Sequence, residues 1–340
     1  YSIMHTDPYR TIDGLSRTIG VQVRDVTQFV SAASDFSTKT MSASLEYGYP
    51  LTEFQGVRLG IVPQRSDLIV TETGSAREAV AWVRNNGKPY QRQLVTTGVD
   101  ATGAPITYTT NVFGTKFDTI ELVVGWYFDS RNRAIFADRG MRHSLSLSGA
   151  APGSEVEYFV FNYEYLQLLP LGRRWTLAIG AEVGYGDAYG KSTTALPPYR
   201  QFFGGGPDSV RGFQESRLGP KDSFGNPYGG NLKVFGRAEL VFPMPEKWRA
   251  SARASLFFDV GNVFQQGSGV GFVGKDGTTP VDYGFDYNAL KQSVGVAVQW
   301  MAPLGIFRFS YGYPLNAEAG DAVHYADEDE RFQFTIGSAF

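Results

Sequence analysis

The stretch Gln201–Phe213, QFFGGGPDSVRGF, sets three glycines, a proline and a lone arginine among aromatic residues. Glycines at this density suggest a phosphate-cradling loop, in which backbone N–H groups close around an anion. That chemistry needs a Gly-Lys-Ser/Thr ending that opens a helix, and the segment lacks it. A second pattern, GVGFVG at Gly269–Gly274, has the spacing of a dinucleotide fingerprint but runs into the loop sequence KDGTTPVDYG instead of a helix. His5, His143 and His324 are scattered, no HExxH or GxSxG motif occurs, and the chain has no cysteine. Zinc, serine-elbow and thiol chemistry are therefore not expected. The expectation is a protein with no cofactor, no metal and no catalytic activity.

Two carboxylates are more informative. Glu239 and Asp259 fall on the inward parity of neighbouring strand-like segments. Two such groups facing one cavity need a cation between them, because like charges held close together out of water raise each other's energy. Arg211 is the natural cation if the segment 187–229 turns inward. Glycosidases also pair carboxylates, but nothing else in the sequence suggests a sugar site. The acidic run Asp327–Glu330 reads as a solvated loop between two strands, with calcium or lipid-bridging cations as the alternative.

The elements that must position these groups are strands. Charged residues are only 19% and aromatics 14%, with 40 glycines, a balance that favours strands, tight turns and aromatic girdles over a soluble enzyme. A net charge of -3 offers no basic field for nucleic acid, which is not an expected partner. No stretch approaches the roughly 18 to 20 apolar residues of a membrane helix, which leaves a strand-built barrel open. The absence of cysteine suits an oxidising compartment.

Alternation with period two recurs along most of the chain. Leu177, Ile179, Ala181 and Val183 share one face against Ala178, Gly180, Glu182 and Gly184 on the other. Strands are expected near 1–6, 15–27, 39–49, 56–64, 117–129, 140–149, 155–167, 174–186, 230–243, 248–261, 290–301, 305–314 and 331–340. Their lengths match the roughly 9 to 11 residues with which a tilted strand crosses a bilayer. Short links such as Pro50–Glu53, Pro243–Lys247 and Ala302–Gly305 alternate with long loops near 65–116, 187–229 and 262–289, as in outer-membrane barrels. One helix is expected, at Ser75–Arg84, ending at Asn85-Asn86-Gly87.

Glu182, Arg237, Glu239, Arg253, Asp259, Gln299, Arg308 and Gln333 take the polar parity, costly in lipid but comfortable in a wet interior. The rival reading is a soluble barrel with its apolar face inward, whose interior would be too wide to fill with this many strands. Thirteen is an odd number, whereas bacterial single-chain barrels close with an even one, so further strands are expected before Tyr1.

The segments FFGGGPDSVRGF and LGPK (Leu218–Lys221), then AELVFP at 238–243, SLFFDVGNVF at 255–264, VGVAVQWMAPLG at 294–305, FSYGYPL at 309–315 and FQFTIGSAF at 332–340, resemble the BamA family. This family supplies the barrel subunit of the outer-membrane β-barrel assembly machine, and it falls in a wider superfamily of POTRA-bearing insertases and transporters. The likeness covers nearly the whole chain, and its specific part is the tetrad Val210-Arg211-Gly212-Phe213.

The resemblance implies an all-β transmembrane barrel of sixteen strands, with residues 1–340 as its C-terminal domain from the fourth strand onward. The periplasmic POTRA repeats and the first strand would lie outside this chain. It also implies that the tetrad sits on a long extracellular loop folded inward, Arg211 contacting Glu239 and Asp259. The last strand, with Phe332, Phe334, Ile336, Gly337 and Phe340, would form one side of a lateral gate.

The implied function is insertion and folding of barrel proteins into the bacterial outer membrane, by templating client strands at that gate. The implied partners are unfolded outer-membrane proteins, accessory lipoproteins bound mostly through the POTRA repeats, and outer-membrane lipids. Alternatives are a two-partner secretion or TamA-type transporter and, from a different class, a passive porin. The residues before Tyr1 would discriminate them.

Overall fold

Alternation becomes strand along most of the chain in the computed structural model, which describes residues 1–31, 34–72, 75–99, 104–172, 174–248, 250–267 and 270–337. The first half forms β1 (Ser2–Asp7), β2 (Ser16–Ser31), β3 (Ser34–Pro50), β4 (Gln55–Thr71), α1 (Arg77–Asn85), β5 (Lys88–Val99), β6 (Pro105–Asp129), β7 (Gly140–Ala150), β8 (Tyr158–Pro170) and β9 (Thr176–Ala188). The second half forms β10 (Gly212–Phe213), β11 (Leu232–Val241), β12 (Ala252–Phe264), β13 (Phe272–Val273), β14 (Pro280–Val281), β15 (Lys291–Ala302), β16 (Gly305–Pro314), β17 (Asp329–Glu330) and β18 (Phe332–Gly337).

One antiparallel sheet of 14 strands runs β1-β2-β3-β4-β6-β7-β8-β9-β11-β12-β15-β16-β18, with β5 added beside β6. Strands of this path occupy each of the thirteen expected spans. The expected helix is present, and its chain leaves at Asn86-Gly87, where Gly87 takes φ +67°.

The apolar face points outward. Val294, Val296, Val298 and Trp300 of β15 are exposed, while Ser293 and Ala297, of the opposite parity, are buried. The same holds for Ile120, Leu122 and Val124 of β6 and for Leu256 and Phe258 of β12. Leaving one such side chain in water forfeits about 1.5–3 kcal/mol, so a surface tiled with them belongs in lipid. The soluble reading, with its apolar face inward, is thereby overturned. Exposed Phe54, Trp175, Trp248 and Trp300 cluster at the short-turn rim, where amphipathic rings meet the headgroups.

The first long loop departs from expectation. Instead of loop across 65–116, β4 runs on to Thr71, β6 begins at Pro105, and β5 pairs with β6 from Lys88↔Lys116 to Val99↔Pro105. Segments such as YQRQLVTT and ITYTTN lack an apolar stripe because neither lipid nor a core fixes one face there.

At this rim α1 closes over the barrel, packing Ala79, Trp82 and Val83 against Leu68, Val70 and Phe117. The Trp82 indole N–H donates to the Ala195 carbonyl at 2.9 Å, which ties the helix to the segment that enters the lumen.

The inward loop as candidate functional site

β11 and β12 pair in the register Arg237↔Asp259 and Glu239↔Phe257, so Glu239, Phe257 and Asp259 all project into the interior. The chain between β9 and β11 folds into that interior and delivers Arg211 to them. The guanidinium grips Asp259 in bidentate fashion, Nε donating to Oδ2 at 2.7 Å and Nη2 to Oδ1 at 2.9 Å. The Arg211 backbone N–H adds a third bond to Oδ2 at 3.1 Å. Glu239 lies 3.6 Å from Nη1 and accepts a hydrogen bond from the Ser255 hydroxyl.

The ring of Phe257 completes the seat, 3.5 Å from the guanidinium carbon. Burial alone would lower the arginine's pKa, but the hydrogen bonds and charge of Asp259 outweigh it and hold the group above its ordinary value. Asp259 is 0% and Arg211 7% exposed, so neither charge has water as an alternative partner.

Val210 and Phe213, both fully buried, flank the arginine in a cluster with Leu218, Phe235 and Val263. Gly212 explains the glycine in the tetrad. It takes φ +90°, and a Cβ there would meet the Gly312 carbonyl carbon at 3.1 Å. Gly212→Val should therefore cost on the order of 1–3 kcal/mol of strain, read as an earlier midpoint for heat-induced unfolding on a semi-native gel. An unchanged midpoint would show that the tip can settle elsewhere. Gly205 plays a similar part, with φ +96° at the bend that carries the loop inward.

The loop also holds the last strand. β10, the Gly212–Phe213 pair, forms a small ladder with β17. The Gln333 side chain of β18 donates to the Phe213 carbonyl at 2.7 Å. Here the acidic run departs from a solvated loop. Asp327 pairs with Lys291 at 2.7 Å, Glu328 with Arg217 at 3.4 Å and with Lys221 at 3.3 Å, and Asp329–Glu330 is β17 itself. Three basic side chains in the lumen draw the run in and make it a docking strip.

Phe332, Phe334 and Ile336 project outward from β18, whereas Gln333 points in. Gly337 pairs with Ile306 and ends the described part of the strand. An added Cβ at Gly337 would meet only the Ile306 carbonyl oxygen, at 3.8 Å, so space does not require glycine there. Phe340 lies outside the described residues.

A second arginine seat has no counterpart in the sequence expectations. Arg200 reaches Glu121 of β6 and donates to the Tyr158 hydroxyl of β8 through Nε at 3.2 Å and Nη2 at 3.1 Å. Glu121, alternating with exposed Ile120 and Leu122, was the available signal. Arg200→Met should leave Glu121 buried without its charge partner and loosen the loop at its entry, read as new protease cleavage between 189 and 200. Protection equal to that of the unaltered protein would refute this.

The remaining candidates are not brought together. Phe272–Val273 and Pro280–Val281 form a hairpin rather than a helix start, and Gly269 lies outside the described residues. His143 bonds the Tyr163 hydroxyl at 2.8 Å, while His324 sits 2.9 Å from Asp321 in an exposed loop. Among the described residues no three His, Asp or Glu side chains form a metal-binding group.

An antiparallel sheet with an apolar exterior, filled by a loop whose arginine is seated on two wall carboxylates, defines a transmembrane β-barrel of the outer-membrane type. The chain belongs to the Omp85 superfamily, whose domain profile matches residues 1–340. It is 32% identical over its whole length to the outer membrane protein assembly factor BamA of Neisseria meningitidis serogroup B, and spans 41% of that protein.

It is 24% identical, over 70% of its length and 47% of the relative's, to the sorting assembly machinery 50 kDa subunit of Saccharomyces cerevisiae. Its fold matches the crystal structure of BamA from Haemophilus ducreyi lacking POTRA domains 1–3. The TM-score is 0.79 at 26% identity, across 99% of this chain and 61% of that one. The barrel resides in the bacterial outer membrane.

Proposed function

We propose that the protein carrying this barrel inserts and folds other β-barrel proteins into the outer membrane. The observation that carries this reading is the bonding of the inward loop to the last strand. Arg211 is anchored on β11 and β12, while the adjoining Gly212–Phe213 is bonded to β17 and to Gln333 of β18. Loop and terminal strand are thereby joined in one hydrogen-bonded unit.

Among the described residues β18 is hydrogen-bonded to β16, and in this reading its other edge lies at the seam with the first strand, where opening would free backbone groups. Such an edge templates an incoming strand by β-augmentation, and each residue added satisfies its own N–H and C=O. The free energy comes from pairing and burial in lipid, so no nucleotide or catalytic group is required. The clients are unfolded outer-membrane proteins, and accessory lipoproteins act through periplasmic repeats of the longer protein. A lumen filled by the loop weighs against a passive porin.

The test is reconstitution of the full-length protein in liposomes with a urea-unfolded client barrel. Heat-modifiable, protease-protected client should accumulate faster than in protein-free liposomes. Equal rates would sink the proposal.

A further inference from the structure

Helix α1 and the inward loop bring together two buried carboxylates that lack a counterion in contact among the described residues. Glu78 is 5% exposed and Asp222 1%. One oxygen of each is held by backbone N–H groups. Glu78 Oε2 accepts from Ser223 at 3.4 Å, and Asp222 Oδ1 accepts from Phe224 at 2.8 Å and Asn226 at 2.9 Å. The other oxygens, Glu78 Oε1 and Asp222 Oδ2, are buried and accept no hydrogen bond among the described residues.

Tyr228 supplies an independent third group. It is 6% exposed, and its hydroxyl is buried with no hydrogen-bond partner among the described residues. The Tyr228 backbone N–H donates to the Pro220 carbonyl at 3.0 Å and Lys221 pairs with Pro227, which holds Tyr228 beside the Asp222 turn; burial, then the charges of Glu78 and Asp222, push its hydroxyl's pKa up.

The neighbouring charges do not neutralise the pair. Lys221 is engaged by Glu328 and the Ala326 carbonyl, and Arg77 acts on Glu78 only through space. Tyr283 and Tyr325 face both acids and bring no positive charge. Burial, with Asp222 adding to it, pushes the Glu78 carboxyl up to about 6. Leaving buried oxygens unsatisfied costs about 1–3 kcal/mol each by general experience, and a neutral water would satisfy hydrogen bonds without answering the charge.

We propose that Glu78 Oε1, Asp222 Oδ2 and the Tyr228 hydroxyl form a binding site for a calcium ion, which staples helix α1 to the inward loop at the extracellular rim. Hard oxygen donors of this kind, two of them anionic, suit calcium, whose flexible coordination at about 2.3–2.6 Å accepts ligands from separate loops and completes its shell with water. Oxygens sharing such an ion stand beyond direct hydrogen-bond reach of one another, in keeping with these three buried oxygens making no hydrogen bond among the described residues. The expected absence of metal ligands rested on scattered histidines and missing cysteines, which bear on zinc, and the sequence offered calcium only the acidic run Asp327–Glu330, whose carboxylates pair with Lys291, Arg217 and Lys221.

The experiment uses the full-length protein in detergent, stripped with EDTA and titrated separately with CaCl2 and TbCl3. Calcium should raise the thermal midpoint in a saturable way, and tyrosine-sensitised terbium emission should appear and be displaced by calcium. Both responses should be lost in Glu78→Gln and in Asp222→Asn, and the terbium signal in Tyr228→Phe. Asp276→Asn, in an exposed turn, should respond like the unaltered protein. The unaltered protein decides the matter even if a variant does not fold. No saturable response to either ion, or stabilisation by falling pH alone with no calcium response, would overturn the site. So would Glu78→Gln and Asp222→Asn proteins that respond normally.

Discussion

Asp259→Ala is expected to lower barrel stability by about 3–5 kcal/mol, the cost of leaving a buried charge without its partner. The size follows from the seat. Arg211 makes three hydrogen bonds to this one carboxylate, whereas Glu239 stands 3.6 Å away. Glu239→Gln should therefore cost less than Asp259→Ala, since the bidentate pair survives it. Arg211→Ala leaves Asp259 stranded in the same way, so the double variant Arg211→Ala/Asp259→Ala should lose far less than the sum of the two singles. Heat-modifiability midpoints of the four proteins give the coupling directly, and strict additivity would mean that the two side chains do not act together.

A charge on the outer face should be nearly as damaging. Val296 stands mid-strand on β15, exposed between Val294 and Val298. Val296→Arg should cost about 2–4 kcal/mol, as arginine does at the midplane of a membrane barrel. Ala297→Ser, one residue along and facing the lumen, should cost much less. The contrast can be read from refolding yield into lipid vesicles. Equal losses at both positions would contradict the assignment of faces.

These faces were legible because lipid and lumen impose opposite chemistries on alternate residues. One parity of Val294 to Trp300 or of Ile120 to Val124 must be apolar, and that requirement is written in residue types. The same parity turned Glu239 and Asp259 inward and made Arg211 their expected partner. What stayed hidden depends on register between a loop and a distant strand.

Arg200 finds Glu121 and Tyr158 only because the chain at Pro198–Arg200 coils through one 3-10 turn inside the barrel, and no period marks such a turn. The acidic run at Asp327–Glu330 has the composition of a solvated loop. Its docking role comes from Arg217 and Lys221, which pair with Glu328 more than 100 positions on, and from Lys291, which pairs with Asp327. β5 was invisible for the opposite reason, since a hairpin wet on both faces has no stripe to read.

Client assembly in cells that depend on Arg211→Ala tests the internal brace most directly. The brace predicts that the variant still reaches the outer membrane but unfolds at lower temperature, while client barrels accumulate unfolded. Normal client assembly together with unchanged heat stability would contradict it.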